Sequence, residues 1–233
     1  MNEILWFVFI FIDLFLALLV FRVLGKLGLY ALIIAEIIIC NIQVIKTIEL
    51  FGVTTTLGNI AYASIFWATD VLHEIYGERE ARIGVWLGFY GSVLTAILMF
   101  FAIKFIPAPS DFAHPHLEVI FGFMPRVVLA SWIAYIISQH HDVWAYGFWK
   151  RRTKGRLLWL RNNASTMVSQ LIDTSIFCTI AFYGVFEKSI FWQIFLTTYF
   201  LKWFIAILDT PFIYLAVRMH RRYRPLLDSR ENS

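Results

Sequence analysis

Apolar stretches long enough to cross a bilayer recur down this entire chain, and that recurrence constrains the fold more than any motif within it. About 20 apolar residues in helical form span the hydrocarbon core. Seven runs qualify by the charges or turn residues that bound them: 4–21, 29–47, 59–76, 83–104, 123–139, 165–186 and 190–217. One such run at the N-terminus would suit a signal peptide, but repetition along the chain does not. The runs do not alternate polar and apolar residues with period two, which excludes transmembrane strands. The expected fold class is an all-α polytopic membrane protein with about seven transmembrane helices. Only 15% of the 233 residues are charged, far below the roughly one in four of a soluble domain, and seven spans leave no room for a separate soluble domain. Pro211, in the last and longest run, removes a backbone donor, so a kink or tilt is expected near it.

Orientation follows from lysine and arginine, because cations flanking short loops stay on the cytoplasmic side. In a seven-span arrangement Arg22, Lys26, Arg79, Arg82, Lys150, Arg151, Arg152, Lys154, Arg156, Arg161, Arg218, Arg221, Arg222, Arg224 and Arg230 share one side, fifteen of the 20 cations. The other side receives Lys46, Lys104, Arg126 and Lys188, with the loop that carries His114 and His116. The N-terminus is expected outside and the C-terminus in the cytoplasm. The cation-rich stretch from Lys150 to Arg161, flanked by Trp149 and Trp159, is read as a lipid-facing loop rather than a nucleic-acid patch, since anionic headgroups and topology both favour cations there. Gly84, Gly88 and Gly91 make a small face for close helix approach, as do Ala31 and Ala35. Cys40 and Cys178 lie within apolar runs and are packing residues, not a metal or redox site.

Six acids fall inside the runs: Asp13, Glu36, Asp70, Glu74, Asp173 and Asp209. Each charge at a helix centre costs about 2.5 to 3.5 kcal/mol on insertion scales, so such groups are paired, neutral or turned toward a polar interior. Asp70 and Glu74 are four apart, which puts both on one helix face about 6 Å apart along the axis, with Gly77 a stop for that helix. Glu74 could alternatively pair with Arg79 or Arg82 at the interface. In the sixth run Asn163, Thr166, Gln170, Asp173 and Thr174 follow helical spacing and give one wet face. Capping accounts for Asn162 to Ser165 but not for Gln170 and Asp173. Lys202 and Asp209 can share a face of the seventh helix, and Lys202 can be neutralised by Asp173 or Asp209. The second run adds Glu36, Asn41 and Gln43. Polar groups thus converge from four helices, with Phe66, Trp67, Trp132, Phe200 and Trp203 nearby. Carboxylates, amides and π-faces together suit a planar small molecule rich in hydrogen-bonding groups.

Four segments, read in order, resemble the signature of the queuosine precursor transporter (VUT) family: Ala31 to Asn41 with Gln43; Asp70-Val71-Leu72-His73-Glu74-Ile75-Tyr76-Gly77 and the charges to Arg82; Trp159 to Thr174; and Leu208-Asp209-Thr210-Pro211-Phe212. His73 departs from the small residue of the family pattern. The resemblance implies an inner-membrane importer, not an enzyme, that carries 7-cyano- or 7-aminomethyl-7-deazaguanine, or queuine, for tRNA modification. It implies a six-helix core (28–217) like the substrate-binding subunits of energy-coupling-factor vitamin transporters, preceded by an added helix (1–27) and followed by a basic tail (218–233). The expected substrate-binding residues are Asp70, Glu74, Asn163, Gln170, Asp173, Lys202, Asp209, Glu36 and Asn41. A guanine-like edge offers adjacent N–H donors to a carboxylate, Asp173 or Asp70, and a carbonyl to Gln170, Asn163 or Arg126. No cofactor, metal or nucleic acid is expected. The expected partners are the small-molecule substrate and membrane lipid, and a homodimer or an energising subunit is left open.

Import of another planar vitamin-like solute is the alternative. An aspartyl protease using Asp173 and Asp209 lacks its glycine-x-glycine-aspartate element, a retinal photoreceptor does not explain the wet sixth helix, and a serine hydrolase lacks a nucleophile elbow. Energy coupling, by protons or by an ATP-driven module, is open at this stage.

Overall fold

The computed structural model describes residues 1–122, 125–184 and 187–222. Among them are seven helices and one two-stranded hairpin: α1 (Asn2–Gln43), β1 (Thr47–Leu50), β2 (Val53–Thr56), α2 (Asn59–Ile75), α3 (Glu78–Ala102), α4 (His114–Phe121), α5 (Pro125–Arg152), α6 (Leu158–Phe182) and α7 (Lys188–Arg222). Four of them, α1, α3, α6 and most of α7, are long and apolar enough to cross a membrane.

α1 combines the first two predicted runs. It contains one non-helical residue, Gly25, at φ 59° and ψ −134°, a conformation that residues with a Cβ avoid. The chain reverses there. The amide of Asn2 donates to the Glu49 carbonyl at 3.0 Å and the Phe51 N–H donates to Glu3 at 3.3 Å, so the start of α1 lies beside the hairpin that follows its end. Segments 2–24 and 26–43 are therefore antiparallel neighbours. The predicted second run, extended to 47, overshoots: the helix stops at Gln43, and Thr47 begins a strand paired with Thr56. Phe51 and Gly52, both at positive φ, form the tight turn that matches strand twist. The hairpin is the exception to an all-helical description.

Every predicted run falls on a helix, with two large shifts of boundary. The fifth, placed at 123–139, continues as α5 to Arg152, and the sixth begins at Leu158 rather than 165. The expected loop from Lys150 to Arg161 thus shrinks to residues 153–157, where Lys154, Gly155 and Leu157 adopt positive φ. α2 ends at Ile75, and Gly77 at φ 99° turns the chain directly into α3. α7 passes through Pro211 without a break in its helical assignment. Residues 223–233 of the expected basic tail, and the Arg126 side chain, lie outside the described residues.

α2 sits at the centre, with every residue from Asn59 to His73 buried. It packs against α1, α3, α5 and α7. The glycine face of α3 serves this packing: a Cβ on Gly84 would lie 2.9 Å from Ile33 and Leu72 side chains, and one on Gly91 would lie 2.9 Å from Ile34. Ala31 and Ala35 instead face outward. Outward faces elsewhere are also apolar, including Phe11, Phe15, Trp86, Leu98 and Phe200, as expected where the solvent is lipid.

Candidate functional site

Three tiers of buried polar side chains run along the inner faces of α2, α5, α6 and α7, from the hairpin end to the end bearing Lys150 to Arg156.

At the hairpin end, Asp173 (α6) accepts hydrogen bonds from Tyr62 (α2) at 2.5 Å, Ser138 (α5) at 3.2 Å and Lys202 (α7) at 2.5 Å. The Lys202 ammonium also lies 4.3 Å from the Tyr62 ring centroid. Four helices thus close on one carboxylate, and of the two expected partners for Lys202 it is Asp173 that binds it. Asp173 and Asp209 do not form a dyad.

At the opposite end, Glu74 (α2) is held by Arg161 (α6) at 2.5 Å, Lys150 (α5) at 3.3 Å and the Tyr146 hydroxyl (α5) at 3.2 Å. Arg161 is only 1% exposed; its Nε donates to the Tyr146 hydroxyl at 3.3 Å and its Nη1 to the Gly155 and Arg156 carbonyls. The alternative pairing of Glu74 with Arg79 or Arg82 is not formed, since Arg82 binds Glu78 at 2.7 Å. His73 stacks beside Tyr146, with ring centroids 4.8 Å apart.

Between these tiers the composition changes. Asp70 (α2), Asp142 (α5) and Asp209 (α7) face one another electrostatically, with no cation bonded to any of them among the described residues. Asp70 accepts from Thr166 at 3.5 Å, and Asp209 accepts from the Asn162 amide at 3.2 Å. Several buried atoms here lack a hydrogen-bonding partner: the Gln139 nitrogen, both polar atoms of Gln170, both Asp142 oxygens, the Asn162 oxygen and the Trp67 indole N–H. A buried polar group without a partner costs about 1 to 3 kcal/mol. Such groups collect where a guest molecule supplies the missing partners.

The remaining expected site residues lie at the margin or elsewhere. Asn163 is half-buried and bonds Thr210 at 2.8 Å; the neighbouring Asn162 is the one turned inward. Glu36 meets Asp13 between the two segments of α1, and Asp13 accepts from Ser64 of α2. Asn41 bonds Ser92 of α3 at 3.1 Å, sharing it with Trp132. Of the aromatics, Phe66 and Trp67 are wholly buried, whereas Phe200 is exposed to the outside. Sequence reasoning missed Ser138 and Gln139, the last two residues of the fifth run, and Asp142, which lay beyond the run as it was ended at 139. The basic cluster Lys150 to Arg152, the natural cap of a longer helix, was the signal for them.

A lipid-faced helical bundle enclosing a polar column that is clamped at both ends has the architecture of a multi-pass membrane transporter. Residues 56–216 match the family described as "Putative vitamin uptake transporter", and the chain belongs to that family, one of transporters rather than enzymes. It is 45% identical over 219 residues to a Bacillus subtilis protein named "Probable queuosine precursor transporter", covering 94% of this chain and 96% of the relative. It is 29% identical over 147 residues to the Escherichia coli "Queuosine precursor transporter", covering 61% and 62%. No solved structure matches.

Proposed function

We propose that this chain imports 7-deazaguanine precursors of queuosine across the bacterial inner membrane, for use in tRNA modification. The observation that carries this reading is the middle tier, where amide atoms and the Asp142 carboxyl lie buried without partners between two clamped ends. A guanine-like base needs both kinds of group: an acceptor for its adjacent N–H donors and a donor for its carbonyl. Asp70 suits the first role because, unlike Asp173, it is not already saturated by neighbours. The Gln170 amide, whose two polar atoms are both unpartnered, suits the second. Asp173, Lys202 and Glu74 frame the base by holding the helices together, Asp209 and Asn163 line its margin, and Glu36 and Asn41 support from the α1 side. The B. subtilis relative's name points to the same substrate class.

In this reading seven helical segments cross the membrane. Segment 1–27 is an addition to a six-helix core like that of energy-coupling-factor substrate-binding subunits. The hairpin faces outward, the Lys150 to Arg156 end faces the cytoplasm and anionic lipid, and the C-terminus is cytoplasmic.

The test is queuosine content of tRNA in bacteria that can neither make nor import the precursors, expressing this chain and fed each precursor separately. Restoration by at least one precursor is expected, abolished by Asp70→Asn with the protein still in the membrane. Normal restoration by Asp70→Asn overturns the site, and failure of every precursor despite good expression overturns the substrate class.

A further inference from the structure

We propose that Asp142 receives an ammonium group on the 7-substituent of the base, so that the site takes the cationic 7-aminomethyl precursor in preference to the neutral 7-cyano one. The inference rests on the substrate reading above for the base itself; the choice between the two bases rests on separate observations.

Hydrogen bonds set the level of Asp142 in the column. On α5, Ser138 donates to Asp173 at the hairpin end and Tyr146 donates to Glu74 at the opposite end. Asp142 is four residues from each, so it shares their helix face midway between the two clamps. On α2, Asp70 lies one turn from Glu74, and Thr166 of α6 donates to it at 3.5 Å. Gln139 of α5 accepts from Thr69 at 3.3 Å, which ties the α5 turn before Asp142 to the α2 turn that bears Asp70. Gln170, one turn beyond Thr166, occupies the same face of α6, and Ser169 beside it meets His141 of α5 at 2.9 Å. Asp70, Asp142 and Gln170 thus stand in the middle of the column on three different helices.

That middle is short of donors and of positive charge. Asp142 and Gln170 are 0% exposed and Asn162 is 1% exposed, yet both Asp142 oxygens, the Gln170 oxygen and the Asn162 oxygen have no donor. The cations of the column are spent on its ends: Lys202 on Asp173 at 2.5 Å, Arg161 and Lys150 on Glu74 at 2.5 and 3.3 Å. Each clamp has its counter-charge, and the Asp142 carboxyl has none among the described residues. An ionised carboxylate at such depth costs free energy until a counter-charge reaches it. An ammonium brings that charge together with three N–H donors, whereas a nitrile presents one acceptor lone pair and no hydrogen to the same oxygens.

The order of groups on the base fits this layout. Its N–H donors, its carbonyl and its 7-substituent follow one another along one side of the ring system. They read donor, acceptor, donor in the aminomethyl base and donor, acceptor, acceptor in the cyano base. Asp70 takes the first, the unpartnered Gln170 nitrogen the second, and Asp142 the third.

The test is equilibrium binding of labelled 7-aminomethyl-7-deazaguanine to the purified full-length chain in lipid nanodiscs, with two competitors: the 7-cyano base, and the 7-methyl base, which keeps the methylene carbon and lacks the nitrogen. The wild type is expected to bind the aminomethyl base about tenfold or more tighter than either competitor, as the loss of one charge-assisted hydrogen bond would give. This comparison needs no substitution, so it does not depend on a variant that folds. In Asp142→Asn the ratio between the aminomethyl and cyano bases is expected to fall to about one. Equal binding of the three bases by the wild type overturns the preference and leaves the cargo class standing, and so does a preference that survives Asp142→Asn. A sodium requirement for binding that Asp142→Asn removes puts a metal ion at this carboxylate and overturns the proposal. Binding of none of the three bases overturns the substrate reading, and the preference with it.

Discussion

The two ends of the polar column and its middle use the same residue types in opposite ways. Asp173 and Glu74 are each surrounded by donors from three or more helices or side chains, and each has a cation within 2.5 Å. Asp70 and Asp209, between them, have one threonine and one amide as donors, and Asp142 has neither of its oxygens partnered. A saturated carboxylate behaves as a rivet, because everything it can accept is already bound to the scaffold. An unsaturated one is a receptor. The difference teaches where the molecule keeps capacity for a guest, and it does so without reference to any ligand.

That contrast can be broken first at its ends. Lys202→Ala strands Asp173 as a buried, unpaired charge, a change that costs about 3 to 5 kcal/mol. Thermal unfolding in detergent is expected to show it, with much of the loss recovered when Asp173→Asn is added. A Lys202→Ala protein as stable as wild type would mean the hairpin end is no rivet. In the middle the expectation reverses. Gln170→Ala removes two unpartnered atoms, so stability should hold or rise, while uptake falls roughly tenfold or more if one hydrogen bond to the substrate, about 1.5 kcal/mol, is lost. Unchanged uptake together with lower stability would assign Gln170 to the scaffold. Gly25→Ala tests the reversal that brings segment 2–24 against the bundle. A side chain forced into φ 59° and ψ −134° costs on the order of 1 to 3 kcal/mol, seen as a lower unfolding midpoint with substrate affinity preserved. The smallest effect belongs to the surface: Arg82→Gln breaks a half-exposed pair with Glu78 worth about 0.3 to 0.5 kcal/mol. It should leave uptake alone, and a large loss there would show that the ion pairs around Glu74 extend out to α3.

How much of this was legible beforehand differs by element. Helices were, because runs of lipid-compatible residues leave little choice of backbone. The wet face of α6 was too, since Thr166, Gln170 and Asp173 repeat at helical spacing within an apolar sequence. Asp142 was hidden because Gln139, His140, His141 and Asp142 together look like a span ending in water. In the structure Gln139 and Asp142 are buried, His141 binds the Ser169 hydroxyl at 2.9 Å and His140 binds a carbonyl one turn back at 3.0 Å. Arg161 was misread for a related reason. A cation next to a basic loop satisfies the topology rule wherever its side chain points, and only the fold brings it to Glu74. The reversal at Gly25 was anticipated as a break between runs, but one residue sufficed where a short loop was expected.

That one-residue reversal limits how its two arms can move. Segments 2–24 and 26–43 are joined by a single non-helical residue, so neither can shift far along the other without breaking the turn. Arg22 and Lys26 flank the turn, and Lys26 lies 3.5 Å from Glu80 at the start of α3, with Tyr30 donating to the same carboxylate at 2.5 Å. The turn is thereby anchored to the point where the next descending helix leaves the loop. One carboxylate at the start of α3 thus ties down the first reversal of the chain from both of its flanking contacts.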